Sequence, residues 1–184
     1  DLVVKESHEH GDILQEGFAD SYYNLTLKTT FSLKFAVETV WKTPPKHVLK
    51  CDDNVYLNVP QFIKTLDDLP RSTLLAYMLG FVFNSKGGLP QVFTSDMKLS
   101  ERQEKYVCPK YMFDGRFYPQ LISGSGYAMS YGAVECLYAK AVELPFFHLE
   151  DVFISGFSAQ ECDIPLLHNP NIKYTQQDEK ALLK

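Results

Sequence analysis

The chain has 184 residues, of which 45% are hydrophobic and 22% charged. That balance excludes disorder, a collagen-like repeat and a disulfide-dense mini-protein, and the length suits one domain with a real core. With 18 Lys and Arg against 23 Asp and Glu the formal net charge is -5, so there is no electrostatic footprint for nucleic acid or an anionic membrane.

The 11 Tyr and 13 Phe suit a sugar-binding surface but equally a well-filled core, and the core is favoured because aromatics are routinely buried. The longest apolar run, Leu74 to Phe83, is about half the ~20 residues a bilayer-crossing helix needs. The start, Asp1-Leu2-Val3-Val4-Lys5, lacks the basic-then-apolar build of a signal peptide. Cys51, Cys108, Cys136 and Cys162 form no Cys-x-x-Cys pair, which argues against zinc, and they leave three disulfide pairings open.

The elements read as follows. Leu2-Val3-Val4 and Asp12-Ile13-Leu14 suggest strand and loop. From Ser21 to Trp41, Leu25, Thr29, Leu33, Ala36, Val37 and Val40 recur at helical spacing, and Pro44-Pro45 stops the run. Val48-Leu49 and Val55-Tyr56-Leu57 read as strands on either side of an acidic turn, Asp52-Asp53-Asn54. Asn58 is placed to cap a helix with Pro60 in its first turn and Phe62, Ile63, Leu66 and Leu69 on one face.

Leu74 to Phe83 looks like a strand buried on both faces, with Asn84 to Gly88 as its turn. Residues 89–123 are less periodic. Gly124-Ser125-Gly126 reads as a tight passage into Tyr127-Ala128-Met129. A second helix runs from Tyr131 to Leu144 and ends at Pro145, and the polar tail, Tyr174 to Lys184, reads as a frayed helix. Alternating strands and helices without repeat or linker argue for one α/β domain.

Two acidic clusters interrupt or follow apolar runs rather than lying on a charged face. Asp52-Asp53-Asn54 sits where open α/β sheets bind ligands, and its oxygens suit a hard cation, although the same residues are ordinary turn formers. Glu150-Asp151 offers a carboxylate as general base, or simply an acidic cap on a helix that begins near Val152. Gly124-Ser125-Gly126 has Met129 at the third glycine position of a phosphate-binding loop, so a plain turn is favoured. His148 lies near the second cluster, but a lone histidine is more often structural. Asn24-Leu25-Thr26 is a glycosylation sequon, meaningful only in the secretory pathway.

Taken in order, the motifs resemble the β-1,3-galactosyltransferase family, glycosyltransferase family 31. The resemblance begins at Glu9-His10-Gly11-Asp12-Ile13-Leu14 and continues through Phe18-Ala19-Asp20-Ser21-Tyr22-Tyr23-Asn24-Leu25-Thr26-Leu27-Lys28-Thr29. It includes Lys50-Cys51-Asp52-Asp53-Asn54-Val55-Tyr56-Leu57-Asn58, similar to Lys-x-Asp-x-Asp-Val-Phe-Val-Asn. Lys105-Tyr106-Val107, Tyr118-Pro119 and Ser123-Gly124-Ser125-Gly126-Tyr127 resemble its middle block, and Glu150-Asp151-Val152-Phe153 with Gly156 its last.

The resemblance implies a GT-A glycosyltransferase fold, a Rossmann-like mixed sheet flanked by helices, with residues 1–184 as a single partial catalytic domain truncated at both ends. It implies an inverting hexosyltransferase that uses Mn²⁺ or Mg²⁺ and moves galactose from UDP-galactose to the 3-hydroxyl of a terminal sugar on a glycoprotein or glycolipid. The enzyme would be Golgi-lumenal and type II, its membrane anchor outside this chain. On that resemblance Asp52 and Asn54 hold the metal, Asp53 lies near the sugar or ribose, Asp151 is the base and Glu150 the second choice for it. Asn54 replaces the family's third acidic residue, and the histidine that completes the family's metal site is not assigned, His168 lying too early. The alternatives are UDP-N-acetylglucosamine as donor, or a non-catalytic lumenal relative.

Overall fold

Among the described residues four strands form an open mixed sheet in the order β1-β3-β2-β4: β1 His47–Cys51, β2 Met78–Val82, β3 Ile122–Ser130 and β4 Leu166–His168. The computed structural model describes residues 2–69, 75–83 and 89–172. β3 pairs antiparallel with both β1 and β2, while β2 and β4 run parallel. The β1–β3 register sets His47 opposite Ser130 and Cys51 opposite Gly126, so the acidic turn leaves β1 beside the glycines of β3.

Helices cover both faces. On one, Met78, Val82, Ile122, Tyr127 and Met129 pack with Leu33 of α2 (Leu25–Glu38) and with Val134 and Leu137 of α5 (Tyr131–Glu143). On the other, Tyr77, Leu79 and Ala128 meet Phe62 and Leu66 of α3 (Val59–Asp67). Alternate residues of β2 therefore enter different cores, as expected of a strand buried on both faces. Fully buried side chains such as Leu33 and Leu137 each contribute roughly 1.5–3 kcal/mol.

Local signals explain the helix limits. Ser130 Oγ accepts from Ala133 N–H at 3.4 Å and from Tyr77 N–H at 3.0 Å, starting α5 and fixing it to the sheet. Asn58 Oδ1 accepts from Gln61 N–H at 3.2 Å, with proline in the first turn of α3 as expected.

Four expected elements differ. Leu2-Val3-Val4 belongs to a helix, α1 (Leu2–His10), that buries none of its residues. It closes at Gly11, whose φ of 67° is the left-handed cap conformation and whose N–H reaches Ser7 O at 2.9 Å. Val55-Tyr56-Leu57 pairs with no strand, because the chain turns away from the sheet at Asp52, and Tyr56 is 78% exposed. Of the strand expected from Leu74 to Phe83, Leu74 lies outside the described residues and the strand is Met78–Val82: β3 ends at Ser130, so Leu75 and Ala76 have no ladder position in it, and Leu75 is 98% exposed. Gly124-Ser125-Gly126 lies within β3 rather than in a turn. Residues 89–123 hold α4 (Glu101–Glu104) and isolated bridges. The Asn84–Gly88 turn and the tail from Tyr174 lie outside the described residues.

None of the three full pairings forms: Cys136–Cys162 is bonded, tying α5 to the end of α6 (Ala159–Glu161), while Cys51 and Cys108 are free thiols.

Candidate active site

The two acidic clusters, distant in sequence, come together at one end of β1 and β3, joined by Lys50. This residue is the fourth of β1, one step before the strand ends. Its ammonium donates to Asp52 Oδ1 at 2.7 Å and to the Gly124 carbonyl of β3. It also lies 3.8 Å from Glu150 Oε2 and 5.9 Å from the centre of the Tyr127 ring.

Asp52, Asp53 and Asn54 are exposed. The Asp52 backbone N–H is bound to Ser125 O at 3.0 Å, and Val55 N–H closes the turn on Asp52 O at 3.3 Å. Among the described residues no three His, Cys, Asp or Glu side chains gather as a metal site. The turn nevertheless presents two carboxylates and an amide carbonyl, all hard oxygen donors. That set suits a cation whose remaining ligands are phosphate oxygens and water.

Glu150 is buried. Tyr127, fully enclosed in β3, donates its hydroxyl to Glu150 Oε1 at 2.6 Å. Burial raises the Glu150 carboxyl from 4.5 to about 7, opposed by Lys50, by the Tyr127 hydrogen bond and by one from Thr29, and reinforced by neighbouring Asp151. Thr29 comes from α2, which Thr26 locks in place by donating to Phe147 O at 2.7 Å, just before the acidic pair.

Asp151 is part-exposed and has a different setting. Its Oδ1 accepts from Val152 N–H at 2.9 Å, capping a π-helical turn, Val152–Ser158, so the helix-cap reading of this carboxylate is realised. Burial still raises its pKa, and hydrogen bonds from the Val152 and Gly124 amides oppose the rise. Gly124 makes room for Glu150: a Cβ there would lie 3.1 Å from Glu150 Oε2, tighter than ordinary contact, and 3.4 Å from Asp151 Cβ, an ordinary contact.

Aromatic rings lie near the pair. Tyr22 and Tyr106 meet edge to face at 6.0 Å, the Lys105 ammonium sits 4.5 Å from the Tyr22 ring centre, and the Tyr22 hydroxyl is pushed up first by burial, then by Tyr106, Asp151 and Glu150. His148 is structural: it is buried between Phe147 and Tyr23, and burial lowers its pKa. His168 Nδ1 accepts from Val82 N–H at 3.2 Å. Asn24 of the sequon is half-buried and donates its amide to Ala19 O at 2.8 Å.

The sequence pointed to Asp52, Asp53, Asn54, Glu150 and Asp151 but gave no role to Lys50, Tyr127, Thr29 or Gly124. All four stand inside quoted motifs, so the signal was present. What was missing was the cross-strand register that turns Lys50 and Tyr127 toward Glu150.

An open mixed sheet with helices on both faces, carrying an exposed acidic turn tied to a second carboxylate pair, defines an α/β protein with a candidate site built on carboxylates. The sequence model described as galactosyltransferase matches residues 1–170, and the chain belongs to that family. Beta-1,3-galactosyltransferase 1 of Homo sapiens and of Mus musculus is 30% identical over 153 residues, covering 83% of this chain and 43% of the relative. The Drosophila melanogaster beta-1,3-galactosyltransferase brn is 30% identical over 178 residues, covering 93% of this chain and 51% of the relative. The chain thus spans about half the length of the curated relatives it matches.

Proposed function

We propose that the protein is a glycosyltransferase with a GT-A-type site that transfers galactose from UDP-galactose to the 3-hydroxyl of a terminal sugar on a glycan, with inversion. The observation that carries this reading is the joining of the exposed Asp52-Asp53-Asn54 turn to the Glu150-Asp151 pair through Lys50. Family membership supports the reaction class.

Asp151 is the base in this reading. It is part-exposed, whereas Glu150 is enclosed, with one oxygen held by the Tyr127 hydroxyl. Burial raises the Asp151 pKa and so strengthens it as a proton acceptor, while the Val152 amide fixes its orientation. Asp151 removes the proton of the acceptor 3-hydroxyl as that oxygen bonds to the anomeric carbon. The bond from that carbon to the diphosphate oxygen breaks on the opposite side, and UDP departs with the electron pair. Asp52 and Asn54 would hold Mn²⁺ or Mg²⁺, with Asp53 toward the sugar or ribose. When bound, the cation supplies charge neutralisation for the departing diphosphate.

The Cys136–Cys162 disulfide supports an oxidising compartment, in keeping with a Golgi-lumenal, type II enzyme. Among the described residues no helix is long and apolar enough to cross a membrane.

The test is a transfer assay in Mn²⁺ with UDP-galactose and UDP-N-acetylglucosamine side by side on a panel of glycan acceptors. Galactose transfer abolished by chelation is expected. Retained UDP binding with no transfer from either donor refutes the enzymatic reading in favour of a non-catalytic lumenal relative, the outcome that Asn54 would explain.

A further inference from the structure

We propose that Lys50 is a positioning residue that sets the donor-binding turn by clamping Asp52 to β3. This rests on the reading of the turn as the donor diphosphate site.

An ammonium has three N–H donors and no acceptor. Two are committed, to Asp52 Oδ1 at 2.7 Å and to the Gly124 carbonyl. The contact with Glu150 Oε2 at 3.8 Å is too long for a hydrogen bond and acts through charge.

Exposure grades along this chain of contacts. The Glu150 side chain is 6% exposed, Lys50 23% and Asp52 47%. The inner partners are therefore fixed by the fold, and the outermost is the one whose position they decide. Asp52 is held twice to the same segment of β3, by its N–H to Ser125 O at 3.0 Å and by its carboxylate through Lys50 to Gly124. The rest of the turn is closed by the weaker Val55 N–H to Asp52 O contact at 3.3 Å. Lys50 also places a positive charge between the two acidic groups, which offsets their repulsion before an anionic diphosphate arrives. A flexible aspartate would have to be ordered at the moment of binding, and the clamp removes that entropic cost.

The test uses the protein with Lys50→Met, Lys50→Arg and Asp52→Asn, followed by amide hydrogen exchange at Val55 and by calorimetry with UDP in Mn²⁺. Lys50→Met is expected to speed Val55 exchange about 3- to 10-fold and to weaken UDP binding by about 10-fold, with Lys50→Arg recovering part of the affinity because it keeps the charge. Asp52→Asn, a change on the exposed side, should speed Val55 exchange likewise, and it carries that test if Lys50→Met fails to fold. Unchanged exchange and unchanged UDP affinity in a folded Lys50→Met overturn the proposal. Faster exchange in a protein that binds no UDP even as wild type supports the clamp and overturns the donor reading.

Discussion

Glu150→Gln isolates the cost of burying a carboxylate between Tyr127 and Lys50. The folded protein raises this carboxyl from 4.5 to about 7. Each pH unit of that rise corresponds to about 1.4 kcal/mol, so the full effect is on the order of 3 kcal/mol. Its sign follows from proton counting: between pH 4.5 and about 7 the folded state keeps a proton that the unfolded state has lost. Stability from this group is complete below 4.5, falls as pH rises, and levels off above about 7.

Asp151 adds a slope of the same sign, while His47 and His148, both lowered by burial, contribute the opposite one below 6.5. Comparing wild type with Glu150→Gln cancels these. The amide oxygen still accepts from Tyr127, so the variant should fold. Urea unfolding at intervals from pH 4.5 to 8, without added metal, should show near-equal stability at the acid end. Toward pH 8 the variant should gain on wild type by an amount on the order of 3 kcal/mol. A difference that stays constant with pH refutes the claim that Glu150 is a buried acid with a raised pKa.

Three further outcomes follow. Gly124→Ala should cost about 1–2 kcal/mol in urea unfolding, because its Cβ would press on Glu150 Oε2 at 3.1 Å, and no loss would mean that the Glu150 carboxylate does not pack there. Replacing Cys136 and Cys162 with serine should cost about 3–4 kcal/mol, given a separation of 26 residues, and thermal melting reads the change directly. Asn54→Asp adds a charged oxygen to the turn and should lower the Mn²⁺ concentration for half-maximal activity several-fold without changing the preferred donor. An unchanged metal requirement would show that residue 54 does not face the cation.

The helices most legible in the sequence were those with both a periodic face and a stop signal. α5 falls within a residue of expectation because Ser130 caps it and Pro145 follows it, and α3 was marked by Asn58 and Pro60. The strands were less legible, since a strand ends where its partner ends. Leu75 is apolar and adjacent to a core strand, yet β3 offers it no ladder partner, only the Ser130 hydroxyl on its carbonyl at 3.4 Å. Leu2-Val3-Val4 looked like strand, although Gly11 already carried the sign of a helix stop. At the site, only the presence of carboxylates beside apolar runs was legible; turn and cap chemistry explain each cluster alone, and their expected roles came from the resemblance. The connection between the clusters was not legible, because Lys50 and Tyr127 acquire their partners only through pairing between β1 and β3 and the packing of α2 behind Glu150.

The central claim, that Asp151 removes the acceptor proton while the Asp52 turn holds the donor, is tested most directly by Asp151→Asn. Turnover and UDP affinity in Mn²⁺ should be measured on the same preparation. The account predicts that kcat falls by roughly 100-fold or more while UDP binds as in wild type, because the amide keeps the Val152 hydrogen bond but accepts no proton. Near-normal turnover in Asp151→Asn, with the loss appearing in Glu150→Gln instead, would contradict it.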